Sequence, residues 1–150
     1  MTAEFKLSAR DPDSLQSSSD EFLEASASVA CRGFAGESRF AVAWRDLASF
    51  AEELRALREA KRDTAQLLGG WDTVEERLRL RVTPAGLSGQ FCARIHIAQT
   101  GPRSDQWNRV DTEFICSPDA LSAFLTELDE LIVQRSRTQP RLFGDPGAIA

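Results

Sequence analysis

The chain predicts an α+β domain: a six-stranded antiparallel sheet with two helices on one face. Three observations carry that expectation. Six segments alternate apolar and polar residues with the two-residue period of a strand. Two segments repeat apolar residues every three or four positions, as a one-sided helix does. The elements also follow the same order in both halves of the chain, strand, strand, strand, helix.

The first strand covers residues 3–9, with Phe5 and Leu7 on one side and Glu4, Lys6 and Ser8 on the other. Asp11 to Asp20 carries Asp, Pro and Ser without an apolar face, which is loop chemistry. Residues 21–32 alternate through Leu23, Ala25, Ala27, Val29 and Cys31. After the Gly-bounded turn Gly33-Phe34-Ala35-Gly36, residues 37–44 alternate through Phe40, Val42 and Trp44. Two such runs around a short glycine-containing loop predict a hairpin. Asp46 is the expected N-cap of the first helix, whose stripe is Leu47, Phe50, Ala51, Leu54 and Leu57. The segment ends at Leu67-Leu68-Gly69-Gly70.

The second half repeats the scheme. Residues 74–83 place Val74, Leu78, Leu80 and Val82 opposite Arg77, Arg79 and Arg81. Residues 89–98 place Phe91, Ala93, Ile95 and Ile97 opposite Cys92, Arg94 and His96. Residues 107–116 place Val110, Thr112, Phe114 and Cys116 opposite Trp107, Arg109, Asp111 and Glu113. Ser117-Pro118 then starts a helix with a capping hydroxyl and a proline at the first helical position. Its stripe is Leu121, Phe124, Leu125, Leu128, Leu131 and Ile132. The halves match at a constant offset of 74, pairing Phe40 with Phe114, Leu47 with Leu121, Phe50 with Phe124 and Leu54 with Leu128. The expected organisation is one domain over residues 1–135, built from two βββα halves (about 1–70 and 71–135), with 136–150 as a flexible C-terminal tail.

Composition excludes several classes of function. The 150 residues suit a single core. Asp plus Glu number 23 against 18 Lys plus Arg, for a net charge of −5, a poor balance for binding nucleic acid. No apolar run is long enough for a membrane span, and the N-terminal residues lack the apolar stretch of a secretory signal. The three cysteines are unpaired in spacing, so reduced thiols and a cytoplasmic location are expected, with Cys31 and Cys116 inward and Cys92 outward. No metal-ligand spacing and no phosphate-cradling or nucleophile-elbow motif occurs, so neither cofactor nor metal is expected.

Single residues give the same picture. His96 is the one histidine, and the strand pattern sets it too far from Cys92 for a direct hydrogen bond, so it is expected to be a surface strand residue. Asp111 and Glu113 are expected in cross-strand ion pairs with Arg79, Arg94 or Arg109 rather than as paired catalytic carboxylates. Trp44 is expected in the core. The Arg77-x-Arg79-x-Arg81 alternation, with Arg94, Arg109 and an aromatic anchor in Trp107, offers a protein-binding surface. The stretch holding Asp11, Asp13, Asp20, Glu21 and Glu24 offers an acidic loop for electrostatic steering.

The stretch Phe40-Ala41-Val42-Ala43-Trp44-Arg45-Asp46-Leu47-Ala48-Ser49-Phe50-Ala51-Glu52-Glu53-Leu54 runs an aromatic-ended strand into Asp-Leu-x-x-Phe-x-x-x-Leu. Leu67-Leu68-Gly69, further strands and a second Leu-x-x-Phe-x-x-x-Leu helix follow. Over roughly residues 21–135 this resembles the WapI-like immunity proteins, small bacterial cytoplasmic proteins that neutralise a cognate polymorphic toxin. The resemblance implies inhibition by binding a protein toxin, with no catalytic residue of its own; separately, a monomer or homodimer is expected. A secretion-type chaperone, small, acidic and often dimeric, is the second expectation, although such chaperones generally open on a helix. An enzymatic or small-ligand domain is the third, and would need polar groups converging on a deep pocket.

Overall fold

The computed structural model describes residues 2–9, 22–70, 76–86, 89–100, 107–135 and 137–146. The chain runs β1 (Ala3–Ala9), β2 (Phe22–Cys31), β3 (Phe34–Ala43), α1 (Trp44–Arg58), β4 (Ala65–Gly70), β5 (Glu76–Ala85), β6 (Gln90–Thr100), β7 (Trp107–Cys116), α2 (Pro118–Gln134) and β8 (Arg141–Gly144). The α+β class with an antiparallel sheet and two helices is as the periodicity predicts. The strand number is not: the sheet has eight strands, ordered β7-β6-β5-β4-β3-β2-β1-β8. Each half is therefore βββαβ rather than βββα.

The two added strands lie after the helices. β4 buries Ala65, Leu67 and Gly69 and pairs with β5 over its whole length. β8 lies in the expected loose tail, yet it pairs with β1 from Ala3↔Gly144 to Lys6↔Arg141 and buries Leu142 completely. Each half thus lends its last strand to the first strand of the other half.

The sheet also closes. β3 meets β4 at the single pair Ala41↔Gly70. In the other half Ile115 of β7 pairs with Asp145, just past β8, through N–H···O bonds of 3.3 and 2.7 Å. Two well-paired four-stranded sheets are therefore joined by two narrow seams at matching places. At the strand ends away from the helices the two sheets touch directly. Gly36 of β3 faces the Val110 side chain of β7, and the Ser38 hydroxyl donates to the Ala98 carbonyl at 2.6 Å.

Both helices turn their stripes to the inner face. Trp44, Leu47, Phe50, Ala51, Leu54 and Leu57 of α1 are buried, as are Leu121, Phe124, Leu125, Leu128 and Leu131 of α2. They join Phe40, Val42, Leu80, Ile95 and Phe114 in one continuous core. Phe124 touches Phe5 and Phe50 edge-on, with ring centroids 6.3 and 6.5 Å apart.

Local chemistry differs from expectation in two places. The β2–β3 turn is only Arg32-Gly33, at φ 54° and 80°. Both central residues at positive φ suit the right-handed twist of a tight hairpin, so Phe34 already belongs to β3. α1 begins at Trp44 with Ala43 as its N-cap and no side-chain cap. Asp46 is instead in the first turn, where its charge favours the positive end of the helix dipole. At α2 the Ser117 hydroxyl accepts the Ala120 N–H at 3.1 Å, as the Ser-Pro pair predicts.

Candidate functional site

Strict alternation along β5, β6 and β7 sends every second side chain to the outer face, and the pairing register sets those side chains in rows. One row crosses Gln66, Arg81, Arg94 and Glu113. The next crosses Leu68, Arg79, His96 and Asp111. Between them lies a groove of about 420 Å³ lined by Gln66, Arg79, Arg81, Arg94, His96, Asp111 and Glu113, with Ile95 and Thr112 also contributing. That volume is within the range of small-ligand sites.

The groove is polarised. On its β7 side Arg94 Nε meets Glu113 Oε2 at 3.0 Å, and His96 Nδ1 meets Asp111 Oδ1 at 2.6 Å. The hydrogen bond to Glu113 pushes the Arg94 guanidinium pKa upward. The expected cross-strand pairing of both carboxylates is therefore present, with His96 rather than an arginine on Asp111. On the β5 side Arg79 pairs with Glu76 of its own strand, at 3.6 Å. Arg81 Nε donates to the Thr64 hydroxyl at 3.3 Å.

Of the candidate binding residues, the structure gathers Arg79, Arg81 and Arg94 in this groove. Arg77, partly buried on β5, and Arg109, exposed on β7, are not among its lining residues. The Trp107 backbone opens β7 opposite Thr100, while its side chain lies outside the described residues. Asp11, Asp13, Asp20 and Glu21 also lie outside them, so the acidic loop has no placement. Sequence reasoning missed Gln66 and Thr64, because β4 was not expected. The Ala65/Leu67 alternation was its one signal.

The contact of His96 Nδ1 with Asp111 fixes the orientation of the imidazole ring. The groove does not turn it into a thiol–imidazole pair. The Cys92 Sγ contacts Glu113 Oε2 at 3.9 Å. Burial pushes the Cys92 thiol pKa up, away from the thiolate a nucleophile needs. Cys92 was expected outward and does share the outer face of β6, but it is buried, with Glu113 and Arg94 beside its thiol. Cys31, Cys92 and Cys116 are all free. Among the described residues no cluster of His, Cys, Asp or Glu is arranged to hold a metal ion, and no helix is long and apolar enough to cross a membrane.

The chain matches no protein-family model, no curated protein and no solved structure.

Proposed function

We propose that this chain is a non-enzymatic protein-binding module, an immunity protein that neutralises a cognate bacterial toxin in the cytoplasm by direct binding. The observation that carries the reading is the outer face of β4–β7, where Arg79, Arg81 and Arg94 stand exposed around a groove. Arginine, with tryptophan, is enriched at the residues that dominate protein–protein binding energy. Trp107 starts β7, the outer strand of that same four-stranded sheet. The strand-to-helix junctions that resemble the WapI-like immunity proteins support the toxin as the class of partner. The net charge of −5 would speed encounter with a basic toxin.

The test is calorimetry with a candidate toxin, sought among the products of the neighbouring genes, using Trp107→Ala and the double variant Arg79→Glu/Arg81→Glu. Each is expected to weaken binding by about 2 kcal/mol or more while leaving the fold intact. Wild-type affinity in both variants would move the contact surface off this face. Failure of the wild-type protein to bind or inhibit that toxin would reject the immunity reading.

A further inference from the structure

We infer that the groove on β4–β7 seats the carboxylate side chains of an extended acidic segment of a protein partner. The inference rests on the binding-module reading above and names the chemistry of the contact.

The register supplies the first argument. Arg81 stands directly opposite Arg94, and Arg79 directly opposite His96. Like charges on opposed positions of neighbouring strands repel, so the Arg81–Arg94 pair is unfavourable without an anion near it. Glu113 and Asp111 sit on the far side of β6 and pair there with Arg94 and His96, and Glu76 pairs with Arg79, which leaves Arg81, bonded to the neutral Thr64 hydroxyl, as the unbalanced cation of this groove among the described residues. From β4 to β7 each row thus runs uncharged, arginine, basic, carboxylate. A carboxylate placed over β5 and β6 would balance Arg81 and separate its charge from that of Arg94.

Spacing supplies the second. Arg79 and Arg81 are two residues apart on one strand face, about 6.8 Å by strand geometry. Carboxylates two residues apart on an extended segment repeat at the same interval. The planar guanidinium also matches a carboxylate in a two-point contact. Leu68, half exposed beside Arg79 in the second row, adds an apolar contact for a residue of the same segment. The groove volume of about 420 Å³ has room for a few side chains rather than a whole helix.

The experiment is a titration of the isotope-labelled protein, followed by amide NMR, with the capped peptide Thr-Asp-Val-Asp-Thr. Its Thr-Asn-Val-Asn-Thr counterpart and inorganic phosphate at equal ionic strength serve as comparisons. The acidic peptide is expected to give saturable shifts centred on residues 79–81 and 94–96, which the Asn peptide does not give. Arg81→Gln should weaken that binding about tenfold, the scale of one lost charge-assisted contact. Arg39→Gln, exposed on β3 of the other four-stranded sheet, should leave it unchanged. Equal shifts from both peptides, shifts scattered over the surface, or full binding by Arg81→Gln would overturn the inference. So would phosphate saturating the same amides more tightly than the acidic peptide. Binding of the acidic peptide in the groove upholds the inference even where the toxin ignores Arg81, an outcome that rejects only the proposed inhibitory surface.

Discussion

Phe50 of α1 and Phe124 of α2 meet edge-to-face, with centroids 6.5 Å apart and planes at 70°. They hold equivalent places in the two halves, at the same separation of 74 residues as the Arg55–Asp129 ion pair that also joins the helices. Gly36 against Val110 is a third contact at that spacing. Equivalent positions touch each other only along an axis of internal two-fold symmetry, so these contacts mark one running from the helix pair to the far ends of β3 and β7.

The ring pair should be a centre of stability. Both rings are fully buried, so Phe50→Ala or Phe124→Ala is expected to cost about 3–5 kcal/mol in urea denaturation. Because the two rings share one site, the double variant should cost less than the sum of the singles. A loss below about 1 kcal/mol for either, or strict additivity, would contradict this packing.

The repeat makes a second, matched prediction. A side chain on Gly69 would place its Cβ 2.3 Å from a ring carbon of Phe40, and on Gly144 2.1 Å from a ring carbon of Phe114. Phe40 and Phe114 are equivalent and fully buried, so neither ring has room to swing away. Gly69→Ala is expected to cost about 1–3 kcal/mol through overpacking. Gly144→Ala should cost more, because its Cβ would also come 2.5 Å from the Ile115 carbonyl, at the seam that closes the sheet. Measured stabilities in the reverse order would refute the seam argument.

How much of this was legible in the sequence depended on element length. β5, β6 and β7 are ten or eleven residues long, and their alternation placed Arg79, Arg81, Arg94, His96, Asp111 and Glu113 on one face correctly. β4 and β8 are six and four residues long and end in glycine, so two or three inward positions were too few to separate a strand from a turn. The offset between halves matched the helices well, but only pairing of β8 to β1 shows that the last strands are exchanged. The face of each arginine follows from period alone. That Arg81 opposes Arg94 follows from the register of β5 on β6, which no single strand encodes.

The two helices end differently, and substitution should show it. The residue two past α1, Ala60, adopts φ 59°, a left-handed conformation that costs an L-residue about 1–2 kcal/mol. Glycine removes that cost and adds about 0.5–1 kcal/mol of chain entropy, so Ala60→Gly is expected to raise stability by about 0.5–1 kcal/mol. Arg135 caps α2 at φ 50°, but its guanidinium lies 3.9 Å from the centre of the Trp44 ring. Arg135→Gly gains the same relief and loses a cation–π contact of about 0.5–1 kcal/mol, so it should be close to neutral. Thermal denaturation of both variants checks this, and a stabilising Arg135→Gly would show that the stacking contributes nothing.

Cys116 gives the chain a specific weakness in base. Burial pushes its thiol pKa up to about 12, against about 8.5 for a free cysteine. Between those values the unfolded chain gives up the proton and the folded chain keeps it. The unfolded state then binds fewer protons, so stability falls as pH rises through that window, and the loss is absent below it. From pH 8 to pH 10 the loss from this one thiol is about 2 kcal/mol. Urea denaturation at both pH values, on the protein and on Cys116→Ala, isolates it. The variant starts lower because it leaves a small cavity, but it should lose about 2 kcal/mol less over that interval. Parallel losses in the two proteins would mean that the thiol titrates normally in the folded state, and that Cys116 is reachable by water where β7 meets α2.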